Sequence, residues 1–186
     1  MNWRTSRSSL CLLIQWVFFS SFHVYLTAQE DPVPEKPNIL LITVDDMSAD
    51  SVGVYGSPVP ETTPTIDSFA ETALRFNFAH VVCGSCKPSR NVMMSGLYPH
   101  TNGVEGFRSY PDITHKLLPD LMKLQNYFVG IYHKAAHTTP DEYDWDVNFS
   151  TETYHIKDPE SYYTTTKQGI QMALDAEKPF YLNINI

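Results

Sequence analysis

"VVCGSCKPSRNVMMSG", residues Val81 to Gly96, carries two cysteines three positions apart and runs straight on into Lys-Pro-Ser-Arg. Two different proteins can be built on this stretch. Read from Cys83, it is a Cys-x-x-Cys pair, a redox or metal half-site. Read from Cys86, it is a single cysteine at a helix start. Pro88 suits a first helical turn, Asn91-Val92-Met93-Met94 continue it, and Gly96 closes it. The flanking sequence decides between them.

Upstream, "NILLITV" (Asn38–Val44) is a continuous apolar run of the kind that forms a strand buried on both faces, and it stops at Asp45-Asp46. "TTPTIDSFAETALRF" predicts a helix, with Thr63 as N-cap, Pro64 in the first turn, and Ile66, Phe69, Ala70, Ala73 and Leu74 at helical spacing. "FNFAHVV" (Phe76–Val82) predicts a short strand. Downstream, "HKLLPDLMKLQ" predicts an amphipathic helix and "YFVGIYH" (Tyr127–His133) an apolar strand. "SYYTTTKQGIQMALDA" predicts a further helix and "PFYLNINI" (Pro179–Ile186) a last strand. Strands alternating with helices define an α/β fold, a largely parallel sheet with helices on both faces. Chemistry in such sheets gathers beyond the carboxyl ends of the strands, where Asp45-Asp46 and Lys134 fall.

The first 28 residues predict a signal peptide: Arg4 and Arg7 precede the apolar run Leu10–Leu26, and Ala28 ends a passable cleavage site. Gln15, Ser20, Ser21 and His23 and a Pro-rich sequel argue against a membrane anchor, so no stable membrane insertion is expected after cleavage. Residues 29–37 form a charged, Pro-rich linker, and 38–186 the folded part. The net charge of −8 becomes more negative once both arginines leave, which argues against nucleic-acid binding. Cys11 leaves with the signal, and Cys83 and Cys86 are too few for a disulfide framework. The expected location is secreted or periplasmic, where a Cys83–Cys86 disulfide is chemically allowed.

"CGSCKP" is similar to the Cys-Gly-Pro-Cys-Lys of thioredoxins, but Val82 stands where they have Trp, a strand–helix–strand unit already precedes it, and no clear cis-Pro strand follows. A structural metal site lacks its second cysteine pair. Taken singly, Asp45-Asp46 would be a turn or cap, Arg90 a surface charge, and Lys134 and His137 loop residues. "CKPSR" with Gly96 resembles the Cys-x-Pro-Ser/Ala-Arg signature of the type I sulfatases, in the alkaline-phosphatase-like superfamily. "PNILLITVDDMSADSVGVYG" resembles that family's opening strand with its Asp-Asp, and "TTPTIDSFAETALRFNFAHV" its Thr-Pro-Asn-Ile-Asp helix. "YFVGIYHKAAH" resembles its later strand ending in Lys-x-x-His or Lys-x-His. "KPFYLNINI" resembles the strand before its Asp-Pro-His. Relatives acting on sulfated glycans look nearest.

The resemblance implies a hydrolase releasing sulfate from a sulfated carbohydrate or similar ester. It implies that a maturase converts Cys86 to formylglycine, whose hydrate attacks sulfur with one hydroxyl and expels sulfate with the other. Asp45, Asp46 and the modified Cys86 would hold Ca²⁺, with Mg²⁺ as an alternative. Cys86, Arg90, Lys134 and His137 would be catalytic: Arg90 orienting the hydrate, and Lys134 and His137 stabilising sulfate and hydrate or protonating the leaving oxygen. Cys83 would have no catalytic role. Members of the family are usually more than twice as long, and their later Asp-Asn or Asp-His ligands and a further His and Lys find no match here. The expectation is an N-terminal part of the catalytic domain. Such a part implies a truncated reading frame, a fragment or half of a split enzyme. The alternatives are a phosphodiesterase or phosphatase of the same superfamily, which usually carries Thr or Ser as nucleophile, and a Cys-x-x-Cys redox protein. "NFS" (Asn148–Ser150) fits a glycosylation site, and His133 stands where relatives often have Gly.

Overall fold

The computed structural model describes residues 36–107, 114–140, 143–149 and 158–186. The expected signal peptide, residues 1–28, and most of the expected linker, residues 29–37, lie outside them. A four-stranded, all-parallel sheet organises the fold, with strands β1 (Ile39–Thr43), β2 (Phe128–Tyr132), β3 (Val147–Phe149) and β4 (Phe180–Asn185) in the order β1-β4-β2-β3. Among the described residues, six α-helices join them: α1 (Pro64–Ala70), α2 (Cys86–Ser95), α3 (Pro99–Asn102), α4 (Leu118–Leu124), α5 (Ala135–Thr138) and α6 (Pro159–Asp175).

Strand alternation divides the sheet into two faces. On one, Phe128, Tyr132, Val147, Phe149, Leu182 and Ile184 pack with Ala173, Ile170 and Tyr162 of α6. On the other, Val129, Ile131 and Tyr181 pack with Trp145, with Ile39 and Leu41 of β1, and with Leu118 and Met122 of α4. Helices therefore cover both faces over β2 and β4, as expected, whereas β1, expected to be buried on both faces, lies at the sheet edge and leaves Leu40 and Ile42 exposed among the described residues. Gly169 permits the close approach of α6 to the sheet, and Gly130 makes room for side chains of the strands on either side of β2. A Cβ on Gly169 would lie 1.5 Å from the Tyr132 hydroxyl oxygen, and one on Gly130 would lie 2.6 Å from Leu182 and 2.7 Å from Val147.

Three local expectations change. Residues 76–82 form no strand, and Phe76, Phe78, Val81 and Val82 are exposed, with no neighbouring strand to satisfy their backbone. The helix begun at Pro64 ends at Ala70, because Ile66, Phe69 and Leu74, its expected apolar face, have nothing to pack against. Thr63 caps nothing with its side chain. Its hydroxyl accepts from the Gly53 N–H (2.9 Å) and donates to Asp67 (3.1 Å), while Asp67 accepts from the Val54 N–H (2.7 Å). The Thr-Pro-x-Ile-Asp motif thus pins the 3-10 turn at Gly53–Tyr55. Strand β3 went unpredicted. Its three residues are too few for a period, and the exposed Asn148 of the glycosylation motif lies within it.

Candidate active site

The parallel sheet brings the carboxyl ends of three strands to one edge. Asp45 follows β1, Lys134 follows β2, and Asn185 ends β4. Past the last paired strand residues, the β1–β4 ladder still closes, through Ile186 N–H to Thr43 O (2.9 Å) and Asp45 N–H to Ile186 O (2.8 Å). Asp45 is thereby fixed in backbone before its side chain does anything. Helix α2 starts at Cys86 and points its first turn at the same edge. Its extended N-cap, Ser85, makes no side-chain cap, so first-turn N–H groups remain for an anion.

Asp45 is the hub. One oxygen accepts from Arg90 (2.6 Å) and the other from Lys134 Nζ (2.6 Å). Cys86 Sγ lies 3.4 Å from that second oxygen and 3.4 Å from His137 Nδ1. Arg90 is 6% exposed. Its guanidinium also donates to Thr43 Oγ1 (2.9 Å) and to the Asn185 side-chain oxygen. Asn91 ties the two helical parts together, donating to Lys87 O (2.8 Å) and to His137 O (3.1 Å). The structure therefore unites Cys86, Arg90, Lys134, His137 and Asp45. Asp46 is exposed and lines, with Asp45, Cys83, Cys86, Ser89 and Arg90, a cleft of about 730 Å³. Both cysteines are free thiols.

The charges are mutually adjusted. Burial works to raise the Asp45 carboxyl, but hydrogen bonds from Lys134 and Arg90 outweigh it and hold it well below the usual carboxylate range. The Asp45 hydrogen bond raises Lys134, more than burial lowers it. Burial, then Lys134, Lys87 and Arg90, lower His137, so its ring is neutral at neutral pH. One carboxylate between two cations leaves a net positive centre beside Cys86, suited to an anion.

Lys134 reaches Asp45 through an unusual corner. His133 (φ 54°) and Lys134 (φ 51°) are both left-handed, a conformation costing about 1–3 kcal/mol at each non-glycine residue. A glycine at the His133 position would adopt this conformation without that cost. His133 is 1% exposed, and both ring nitrogens lack a hydrogen-bond partner. Its ring stands edge-on to Tyr162 at 4.7 Å. Asn185 went unnoticed in the sequence, since a polar residue ending an apolar strand carries no signal of its own.

Asp45 and Asp46 are hard oxygen donors of the right chemistry for Ca²⁺ or Mg²⁺, two ligand residues toward roughly six to eight oxygens. Among the described residues, no group of three or more His, Cys, Asp or Glu side chains gathers around one point. A cation at Asp45 would share that carboxylate with Arg90 and Lys134.

The comparisons with known proteins agree with this architecture. The family described as Sulfatase matches residues 37–181, and the chain belongs to that family. It is 34% identical over 142 residues to human N-acetylgalactosamine-6-sulfatase, across 66% of this chain and 27% of the relative. It is 34% identical over 103 residues to a Delta 4,5-hexuronate-2-O-sulfatase of Bacteroides thetaiotaomicron, across 55% of this chain and 20% of that protein. A solved structure in complex with its substrate D-glucosamine-2-N,6-O-disulfate superposes with a TM-score of 0.62 at 21% identity, over 81% of this chain and 34% of the other, which speaks for the fold. The fold is thus alkaline-phosphatase-like α/β. The chain spans about a quarter of the length of the curated relatives it matches.

Proposed function

We propose that this chain is the N-terminal part of the catalytic domain of a sulfuric ester hydrolase acting on a sulfated carbohydrate, exported by residues 1–28 to the periplasm or cell exterior. The observation that carries the proposal is the meeting of Cys86, Arg90, Lys134 and His137 around one carboxylate, with a net positive charge beside the nucleophile position. The likeness to glycan sulfatases supports the substrate class.

Cys86, as formylglycine made by a maturase, would supply geminal hydroxyls, one to attack sulfur and one to expel sulfate. Asp45 and Asp46 would hold Ca²⁺, which supplies polarisation of the sulfate. Arg90, anchored on Thr43 and Asn185, holds Asp45 in place and offsets charge at position 86. Lys134 stays a cation and faces the developing negative charge. His137, neutral and 3.4 Å from the Cys86 sulfur, is set to accept a hydrogen bond from the group at position 86. The alternative phosphoryl chemistry would call for a hydroxyl residue at position 86 in place of cysteine.

The test is sulfate release from nitrophenyl sulfate by the full-length protein of which this chain is the proposed N-terminal part, made with a maturase and Ca²⁺. Arg90→Ala and Asp45→Ala are each expected to lower kcat by about a hundredfold or more, and Cys83→Ser to leave most activity. Equal loss in Cys83→Ser with normal folding would transfer the chemistry to the cysteine pair.

A further inference from the structure

Asn185 has no assigned role, yet its side chain touches both arms of the site. It is 1% exposed. Its amide oxygen accepts from Arg90 and from Thr43 Oγ1 (2.7 Å). Its amide nitrogen donates to the carbonyls of Tyr132 (2.8 Å) and His133 (3.1 Å). This pattern allows one amide orientation only: carbonyl oxygens need the NH₂, and a guanidinium needs the oxygen. The Tyr132 and His133 carbonyls belong to the left-handed corner that aims Lys134. Arg90 and Lys134 then grip opposite oxygens of Asp45 at 2.6 Å each.

We propose that Asn185 is a positioning residue, a clamp that sets the Arg90 guanidinium and the Lys134 corner at the distance where both engage Asp45. The proposal rests on the sulfatase reading given above for the reaction itself, but the clamp is a geometric claim with its own readout. No other natural side chain of this size offers an acceptor to Arg90 and two donors to the carbonyls at once. Aspartate keeps the acceptor, loses both donors, and competes with Asp45 for Arg90. Alanine loses everything. A purely structural amide would stabilise the strand end without governing Arg90.

Two measurements decide it. In ¹⁵N-labelled protein, hindered rotation of a clamped guanidinium gives separate Arg90 Nη resonances. Asn185→Ala is expected to merge them, and Nη signals unchanged from the parent would overturn the clamp. In sulfate release from nitrophenyl sulfate, Asn185→Ala is expected to lower kcat about thirtyfold with KM within about threefold. The double variant Arg90→Ala/Asn185→Ala is expected to lie within about threefold of Arg90→Ala alone, because one residue acts through the other. Fully additive losses would overturn the proposal. Should Asn185→Ala fail to fold by circular dichroism, Thr43→Val carries the test: it removes the hydroxyl shared by Arg90 and Asn185 at constant shape. It is expected to lower kcat about threefold or more and to be non-additive with Arg90→Ala, and parental kcat would overturn the clamp. Absence of sulfate release in the full-length parent would instead defeat the sulfatase reading, and the resonance measurement would still judge the clamp.

Discussion

Cys83 and Cys86 share a cleft wall, but only Cys86 has Asp45 and His137 within reach and Pro88 and Arg90 at the signature offsets. From Cys83 the same offsets give Ser85 and Lys87. Formylglycine is therefore expected at position 86 and not at 83 when the chain is made beside a maturase, and peptide mass spectrometry reads this directly. A Cys83–Cys86 disulfide as the main species would support redox chemistry instead. His133 makes a second prediction. Burial depresses it below its ordinary 6.5, so the fold favours the neutral ring. The stability this contributes is complete above 6.5 and is lost as pH falls through the depressed value. Tm should thus fall on acidification from about pH 7 to about pH 5, and less steeply in His133→Asn, which also tolerates the left-handed backbone. Equal slopes would show that His133 takes up its proton in the folded protein as readily as in the unfolded chain.

Helix α6 and strand β2 meet through Gly169 and Tyr132. The phenol occupies the space a Cβ would take, so Gly169→Ala must push Tyr132 or the helix aside. A destabilisation of about 1–3 kcal/mol is expected, despite the better helix propensity of alanine. Adding Tyr132→Phe should recover part of it, since the nearest clashing atom, the hydroxyl at 1.5 Å, is gone and the ring carbon at 2.9 Å remains. Denaturant melts of the single and double variants measure this. Gly169→Ala at parental stability would mean that α6 has freedom to shift on the sheet. The same contact explains why "SYYTTTKQGIQMALDA", with its threonines and a glycine, nonetheless lies almost wholly in the 17-residue helix Pro159–Asp175: the sheet face supplies what propensity does not.

The whole chain carries a net charge of −8, and its local positive centre is small and shared with a carboxylate. No retardation of duplex DNA is expected in gel-shift assays at about 0.1 M salt, because phosphate binding needs several cations on one surface. A salt-dependent shift would show a basic surface that the charge count hides. No helix among the described residues is long and apolar enough to cross a membrane.

Periodicity and punctuation in the sequence determined the α/β class, the strands that became β1, β2 and β4, and the helix opened by Cys86, while Asp45, Arg90, Lys134 and His137 stand out in the sequence only through the family resemblance. The elements are legible because the strands form unbroken apolar runs, enforced by burial on both faces in β2 and β4 though not in the edge strand β1, and because Pro and Gly act through local backbone chemistry. Tertiary structure alone decided the rest. Residues 76–82 read like a strand but pair with no strand among the described residues and leave Phe76, Phe78, Val81 and Val82 exposed. β3 is too short to show a period and exists because β2 offers it an edge. Asn185 is 95 residues from Arg90, so its hold on that guanidinium arises only when β4 inserts between β1 and β2. A strand's place in a sheet is a long-range choice, and nothing local in "FYLNIN" encodes which neighbours its last side chain will meet.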